Sequence, residues 1–96
     1  QLNHSKNVVV ERAADLTQVT DKFDIIVSNI VKNINLQLLP QLFDALNDNG
    51  HLILCGFLHT DLQAQRLRAE ELNLQYIEKN IEDNWLQTTY RKTNNA

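Results

Sequence analysis

The apolar positions of this chain fall into short unbroken runs divided by polar stretches, with two longer segments at helical spacing between them. Val8, Val9 and Val10 form the first run, a β-branched strand followed by a polar connection through Ala14, Asp15 and Leu16. Residues 23–30, Phe-Asp-Ile-Ile-Val-Ser-Asn-Ile, form the second; an acidic residue leads the strand and a Ser-Asn pair stands where it ends. Strands buried on both faces of a parallel sheet read as continuous apolar runs rather than alternations. Over residues 35–47, Leu38, Leu39, Leu42, Phe43 and Leu46 recur at helical spacing and predict a helix. Pro40 suits that helix in its first turn and kinks it elsewhere. Asn47-Asp48-Asn49-Gly50 predicts the stop, with Gly50 free to take positive φ.

His51-Leu52-Ile53-Leu54-Cys55-Gly56 reads as another buried strand. Thr60-Asp61-Leu62-Gln63 fits a capping box, with Thr60 as N-cap, opening a helix to about residue 72. Its apolar stripe (Leu62, Ala69 and Leu72, with Leu67 to one side) is narrow, so it covers one sheet face and leaves the rest wet. Residues 75–81 and 85–92 are two further extended segments, and the short Glu82-Asp83-Asn84 link predicts an antiparallel hairpin. The order strand, strand, helix, strand, helix, strand, strand predicts an α/β fold with a mostly parallel sheet and a terminal antiparallel hairpin.

Composition bounds this picture without changing it. Ninety-six residues make at most one small domain with a modest core. The net charge of −3 argues against a general nucleic-acid or anionic-membrane binder. No apolar run approaches the roughly 18 residues that span a bilayer, and no signal peptide is visible. A single cysteine, Cys55, forms no internal disulfide and predicts a reducing, cytoplasmic setting. The opening Gln1-Leu2-Asn3-His4 looks like a helix end running into a strand, as in a piece of a longer protein.

Ligands of open α/β sheets gather at the carboxyl ends of the strands, which makes Asn29 the first candidate for chemistry. The competing reading is that Asn29 only turns the chain after its strand. Gly56, Phe57 and Leu58 end the next strand on the same sheet edge and could shape a substrate entrance, although Phe57 and Leu58 suit a core better. Cys55 reads as a small buried hydrophobe, Trp85 as a packing residue of the hairpin, and Arg66, Arg68, Glu70 and Glu71 as a solvated helix face. His4, His51 and His59 show no metal-ligand spacing with Cys55, and no metal is assigned.

Three strings together resemble one family. Residues 23–30 resemble the "(F/Y)D-hydrophobic-VANI" strand of the PrmA-type ribosomal protein L-11 methyltransferases, a branch of the class I S-adenosylmethionine-dependent methyltransferases. Residues 49–58, Asn-Gly-His-Leu-Ile-Leu-Cys-Gly-Phe-Leu, resemble that family's "GG-x-LVLSGIL". Asp83-Asn84-Trp85-Leu86 resembles its closing "GEW-hydrophobic" strand. With the helix containing Leu38-Leu39-Pro40, the likeness extends over most of residues 15–92. The family's glycine-rich loop and its ribose-holding acidic residue have no counterpart here.

The resemblance implies a Rossmann-like class I methyltransferase fold lacking its first βαβ unit, with residues 1–96 as the carboxyl-terminal portion of one methyltransferase domain. That fold orders its strands 3-2-1-4-5-7-6, so residues 8–10 would stand two absent strands away from the rest, with unpaired backbone. The implied activity is methyl transfer from S-adenosylmethionine to protein amino groups, with a ribosomal protein as substrate and this piece inactive alone. Asn29 would orient the attacking amine, Ser28 and Ile30 would line the site with backbone, and Asp15 and Leu16 would contact the adenine amino group. For Asp15 a helix N-cap or solvated loop is an equal alternative. Two other functions compete: a cofactor-free methyltransferase-fold module kept for interaction or dimerisation, and another doubly wound nucleotide-binding domain, which the closing hairpin disfavours.

Overall fold

A computed structural model describes residues 6–17 and 21–93; the expected helix end at residues 1–4, with His4, lies outside them. In chain order the elements are β1 (Asn7–Val10), α1 (Ala14–Thr17), β2 (Phe23–Asn29), α2 (Lys32–Asp44), β3 (Leu46–Leu58), a 3-10 turn (His59–Asp61), α3 (Leu62–Glu71), β4 (Leu74–Glu82) and β5 (Trp85–Lys92). They build one five-stranded sheet in the order β1-β2-β3-β5-β4. β1, β2 and β3 pair in parallel, and β5 pairs antiparallel with both β3 and β4. Only β5 therefore runs against the others, as the alternation of elements and the short hairpin link predict.

Register explains the layering. Ile26, Leu52 and Tyr90 stand in one row across β2, β3 and β5, and Val10, Ser28, Leu54 and Thr88 in the next. All seven are fully buried. Leu38, Leu39 and Leu42 of α2 and Ala69 of α3 join them in one core. The intervening rows face the other way: Val9, Val27, Ile53 and Thr89 share one, and all are half-buried or exposed.

Several expectations need correcting. β1 does not stand apart from the rest; Asn7–Val10 pairs in register with Ile25–Ser28 of β2. The free N–H and C=O groups along the edge of β2 supply the reason, since a parallel strand satisfies them. α2 begins at Lys32 and holds Pro40 in its interior. A proline there forgoes one intrahelical hydrogen bond, and burial of Leu38, Leu39 and Leu42 around it sustains the helix.

The stretch 47–50 does not simply stop the helix but belongs to β3 as a bulge. Two steps along β2, Phe23 to Ile25, are matched by five along β3, Leu46 to His51. The positive φ falls on Asn49 at 67°, not on Gly50. Gly50 is needed for space instead, because a Cβ would stand 2.8 Å from the Asn47 carbonyl oxygen. Nor does Thr60 cap α3. Asp61 takes that position, and its carboxylate accepts the Leu58 backbone N–H at 2.8 Å, closing the turn between β3 and α3.

Candidate active site

Parallel pairing brings three strand ends to one edge. Val10 lies opposite Ser28, and Asn29 opposite Cys55. Next to them is a cleft of about 400 Å³ lined by Asn29, Cys55, Gly56, Asn80, Glu82, Trp85, Leu86 and Gln87. Of these, Asn29 ends β2, Cys55 and Gly56 lie near the end of β3, and the others come from the hairpin. Asn80 is paired with Gln87, and Glu82 with Trp85, so the hairpin register aligns one polar row and one acidic–aromatic pair along the wall.

The predicted residues divide into two groups. Asn29 is exposed and lines the cleft, but its neighbours in sequence do not. Ser28 is fully buried, and its hydroxyl donates to Asn35 Oδ1 at 2.6 Å. Ile30 is 7% exposed and its carbonyl oxygen accepts from Asn35 Nδ2 at 3.3 Å. Neither lines the cleft; both are held by Asn35 on either side of Asn29.

Asp15 and Leu16 sit on α1, which follows β1 at the same sheet edge; neither lines the cleft. The Asp15 carboxylate accepts the backbone N–H groups of Glu11 at 2.8 Å and Arg12 at 3.0 Å, and pairs with the Arg12 guanidinium at 3.3 Å. The two amides, Glu11 first, hold its pKa below the usual carboxylate range. A carboxylate has about four lone-pair sites; among the described residues these contacts engage two on Oδ2 and one on Oδ1.

Sequence reasoning missed Asn80, Glu82 and Gln87, since only the hairpin register places them on this wall. Trp85 is not a packing residue: it is 58% exposed and lines the cleft. Phe57 is core, as expected, whereas Leu58 is 44% exposed. Cys55 is half-buried on the cleft wall rather than enclosed, and desolvation pushes its thiol pKa up, which disfavours the nucleophilic thiolate. Arg66–Glu70 and Arg68–Glu71 form ion pairs on the wet face of α3. Among the described residues no group of three His, Cys, Asp or Glu side chains is placed to hold a metal, and no helix is long and apolar enough to cross a membrane.

Asn35 is the other residue that position in the sequence did not reveal. It is fully buried on α2, and its carboxamide reaches backbone of both β2 and β3. One amide side chain among the four of α2, with Asn33, Gln37 and Gln41, gives no signal of this kind, because the sequence does not mark which of them turns inward.

Against known proteins, the model of the family described as "Ribosomal protein L11 methyltransferase (PrmA)" matches residues 1–93. The chain is 35% identical over 85 residues to the ribosomal protein L11 methyltransferase of Lactobacillus johnsonii, covering 88% of this chain and 27% of that protein. It is 37% identical over 83 residues to the Lactobacillus helveticus protein of the same name, covering 86% of this chain and 22% of that one. The crystal structure of ribosomal protein L11 methylase from Lactobacillus delbrueckii subsp. bulgaricus superposes with a TM-score of 0.74 at 32% identity, over 81% of this chain and 40% of that chain. The fold is thus that of a methyltransferase, and the chain spans about a quarter of the length of the curated relatives it matches.

Proposed function

We propose that this chain, which belongs to the ribosomal protein L11 methyltransferase (PrmA) family, supplies the acceptor side of an S-adenosylmethionine-dependent protein methyltransferase whose substrate is a ribosomal protein amine. The observation that supports this reading most is the exposed Asn29 carboxamide at the carboxyl end of β2, lining a cleft beside Cys55 and Gly56. Domain membership follows the same reading, with residues 1–96 as the carboxyl-terminal portion of one methyltransferase domain acting in the cytoplasm.

The residues present fit part of the cofactor. Asp15 Oδ1 meets only the Arg12 guanidinium among the described residues and has the chemistry to accept from an exocyclic amino group, with the Leu16 backbone beside it; both lie on the sheet edge that carries Asn29. Ser28 and Ile30 fix the backbone on either side of Asn29. The glycine-rich loop that the family resemblance implies for the methionine part of the cofactor, and its acidic ribose ligand, have no counterpart among these 96 residues. S-Adenosylmethionine would supply a methyl group on a sulfonium centre, the electrophile of the reaction.

Asn29 has the chemistry to direct the other partner. An amine attacks only as the neutral base, and the Asn29 side-chain oxygen can accept one of its N–H groups and aim the nitrogen lone pair. Holding reactants in line is the larger share of what such a site contributes. Glu82 and the Trp85 ring add a negative and an aromatic wall to the cleft, and both favour a cationic side chain over a neutral one. The bound ammonium first gives one proton to solvent; the neutral nitrogen then takes the methyl as the sulfonium S–C bond would break, so that the products are a methylated ammonium and the neutral thioether S-adenosylhomocysteine.

The test is calorimetric titration of S-adenosylmethionine and S-adenosylhomocysteine into this chain and the full-length protein, followed by a methyl-transfer assay on ribosomal protein. Binding and transfer by the full-length protein, with neither from this chain, is the expected result. No binding by either overturns the reading in favour of a cofactor-free interaction module. In the full-length protein, Asn29→Ala should lower kcat about 100-fold, the scale of a lost positioning contact.

A further inference from the structure

We infer that Asn35 is a positioning residue for this site: its carboxamide, oriented by Ser28, sets the backbone on every side of Asn29. The three carbonyl oxygens that Asn35 Nδ2 reaches are those of Ser28 at 3.3 Å, Ile30 at 3.3 Å and Cys55 at 2.9 Å. Ser28 precedes Asn29, Ile30 follows it, and Cys55 is its partner across the sheet. One amide therefore brackets one residue, and that residue lines the cleft.

The orientation of the amide is fixed by chemistry. Carbonyl oxygens only accept, so the NH2 of Asn35 must face them, and Oδ1 is left for the Ser28 hydroxyl at 2.6 Å. Removing that hydroxyl leaves Oδ1 buried without a partner and frees the amide to turn. Both side chains are fully buried, and an apolar pair would fill the same space without a desolvation cost. A polar pair at this place does what packing cannot: it ties the ends of β2 and β3 to α2 through directional bonds. Gly56 completes the arrangement by letting the Ile30 backbone approach β3.

The inference rests on the proposed function only for its catalytic consequence, so the test reads two quantities. In the full-length protein, Ser28→Ala and the double variant Ser28→Ala with Asn35→Leu are compared with Leu42→Val, a core change on α2 outside the network. The first readout is kcat and KM for methyl transfer. The second is NMR of protein labelled at asparagine, which reports the Asn29 and Asn35 resonances directly.

Ser28→Ala and the double variant should lower kcat about tenfold or more, consistent with misalignment at the reacting centre, while KM for the cofactor moves less than about threefold. Leu42→Val should leave kcat unchanged at a comparable drop in thermal midpoint. The Asn29 resonance should shift and broaden in Ser28→Ala and not in Leu42→Val. Equal kcat losses in all three variants, or an unmoved Asn29 resonance in Ser28→Ala, overturn the positioning role. A full-length protein that transfers no methyl, yet shows the Asn29 shift, overturns the proposed reaction and leaves the positioning role standing.

Discussion

The Ile30 carbonyl oxygen occupies the space in which a Gly56 Cβ would have to stand, and Gly56 itself holds φ at +88°. The chain just past β2 thus leaves no room for a side chain at Gly56 near the end of β3. Gly56→Ala should cost about 2–3 kcal/mol, from the left-handed backbone together with the forced displacement of Ile30. A lowered urea midpoint with an unchanged m-value would show it; an unchanged midpoint would mean that the two strand ends part freely.

Lys92 closes the carboxyl end of α2 from the far strand. Its Nζ donates to the Phe43 carbonyl at 3.1 Å and the Leu46 carbonyl at 3.0 Å, and lies 4.3 Å from the centre of the Phe43 ring. Lys92→Met keeps the stem and removes these contacts, for an expected loss of about 1–2 kcal/mol. Thermal denaturation of the variant beside Lys92→Arg, which keeps the charge, tests it; equal losses in both would point to packing rather than hydrogen bonding.

Tyr90 links pH to stability on the alkaline side. Its hydroxyl donates to Gln65 Oε1 at 2.8 Å within the core, and burial raises its pKa well above the ordinary phenol value. Above pH about 10 the unfolded chain gives up this proton and the folded one retains it, so stability falls as pH rises. Tyr90→Phe should abolish that share of the alkaline slope. At neutral pH it should cost about 1–2 kcal/mol, because Gln65 Oε1 is left buried without its donor.

Asp24 acts in the opposite direction. The Lys6 backbone N–H at 2.9 Å and the Asn47 amide at 3.0 Å bind its carboxylate and lower its pKa, the former more strongly. The contribution is present above pH about 4 and is lost as pH falls further, where the unfolded chain takes up the proton first. Asp24→Asn should flatten the acid limb of a stability–pH curve, with Asp15 and Asp61, lowered in the same way, accounting for what remains.

What the sequence made legible is what local pattern governs. The β-branched run of β2, the leucine spacing of α2 and the short link between β4 and β5 each commit their segment to one conformation. The exposed end of β2 pointed to Asn29 for the same reason. Long-range pairing governs the rest. Residues 47–50 carry every mark of a helix stop, yet β2 recruits them as a bulge in β3. Whether Trp85 packs or faces the cleft depends on a register set by Leu58 and Glu82, its partners on two other strands. Asn35 needed both strand ends in place before its three acceptors existed.

The Ser28–Asn35 pair also constrains how such a sequence can change with time. Alanine at position 28 strands an amide oxygen in the core, and leucine at position 35 strands a hydroxyl. Each single step passes through a less stable protein, and both together still take the amide donor from the Ser28, Ile30 and Cys55 carbonyl oxygens. A lineage that carries this pair is therefore held to it, because changing both codons together relieves the Ser28–Asn35 contact but not the three carbonyl oxygens that the amide serves.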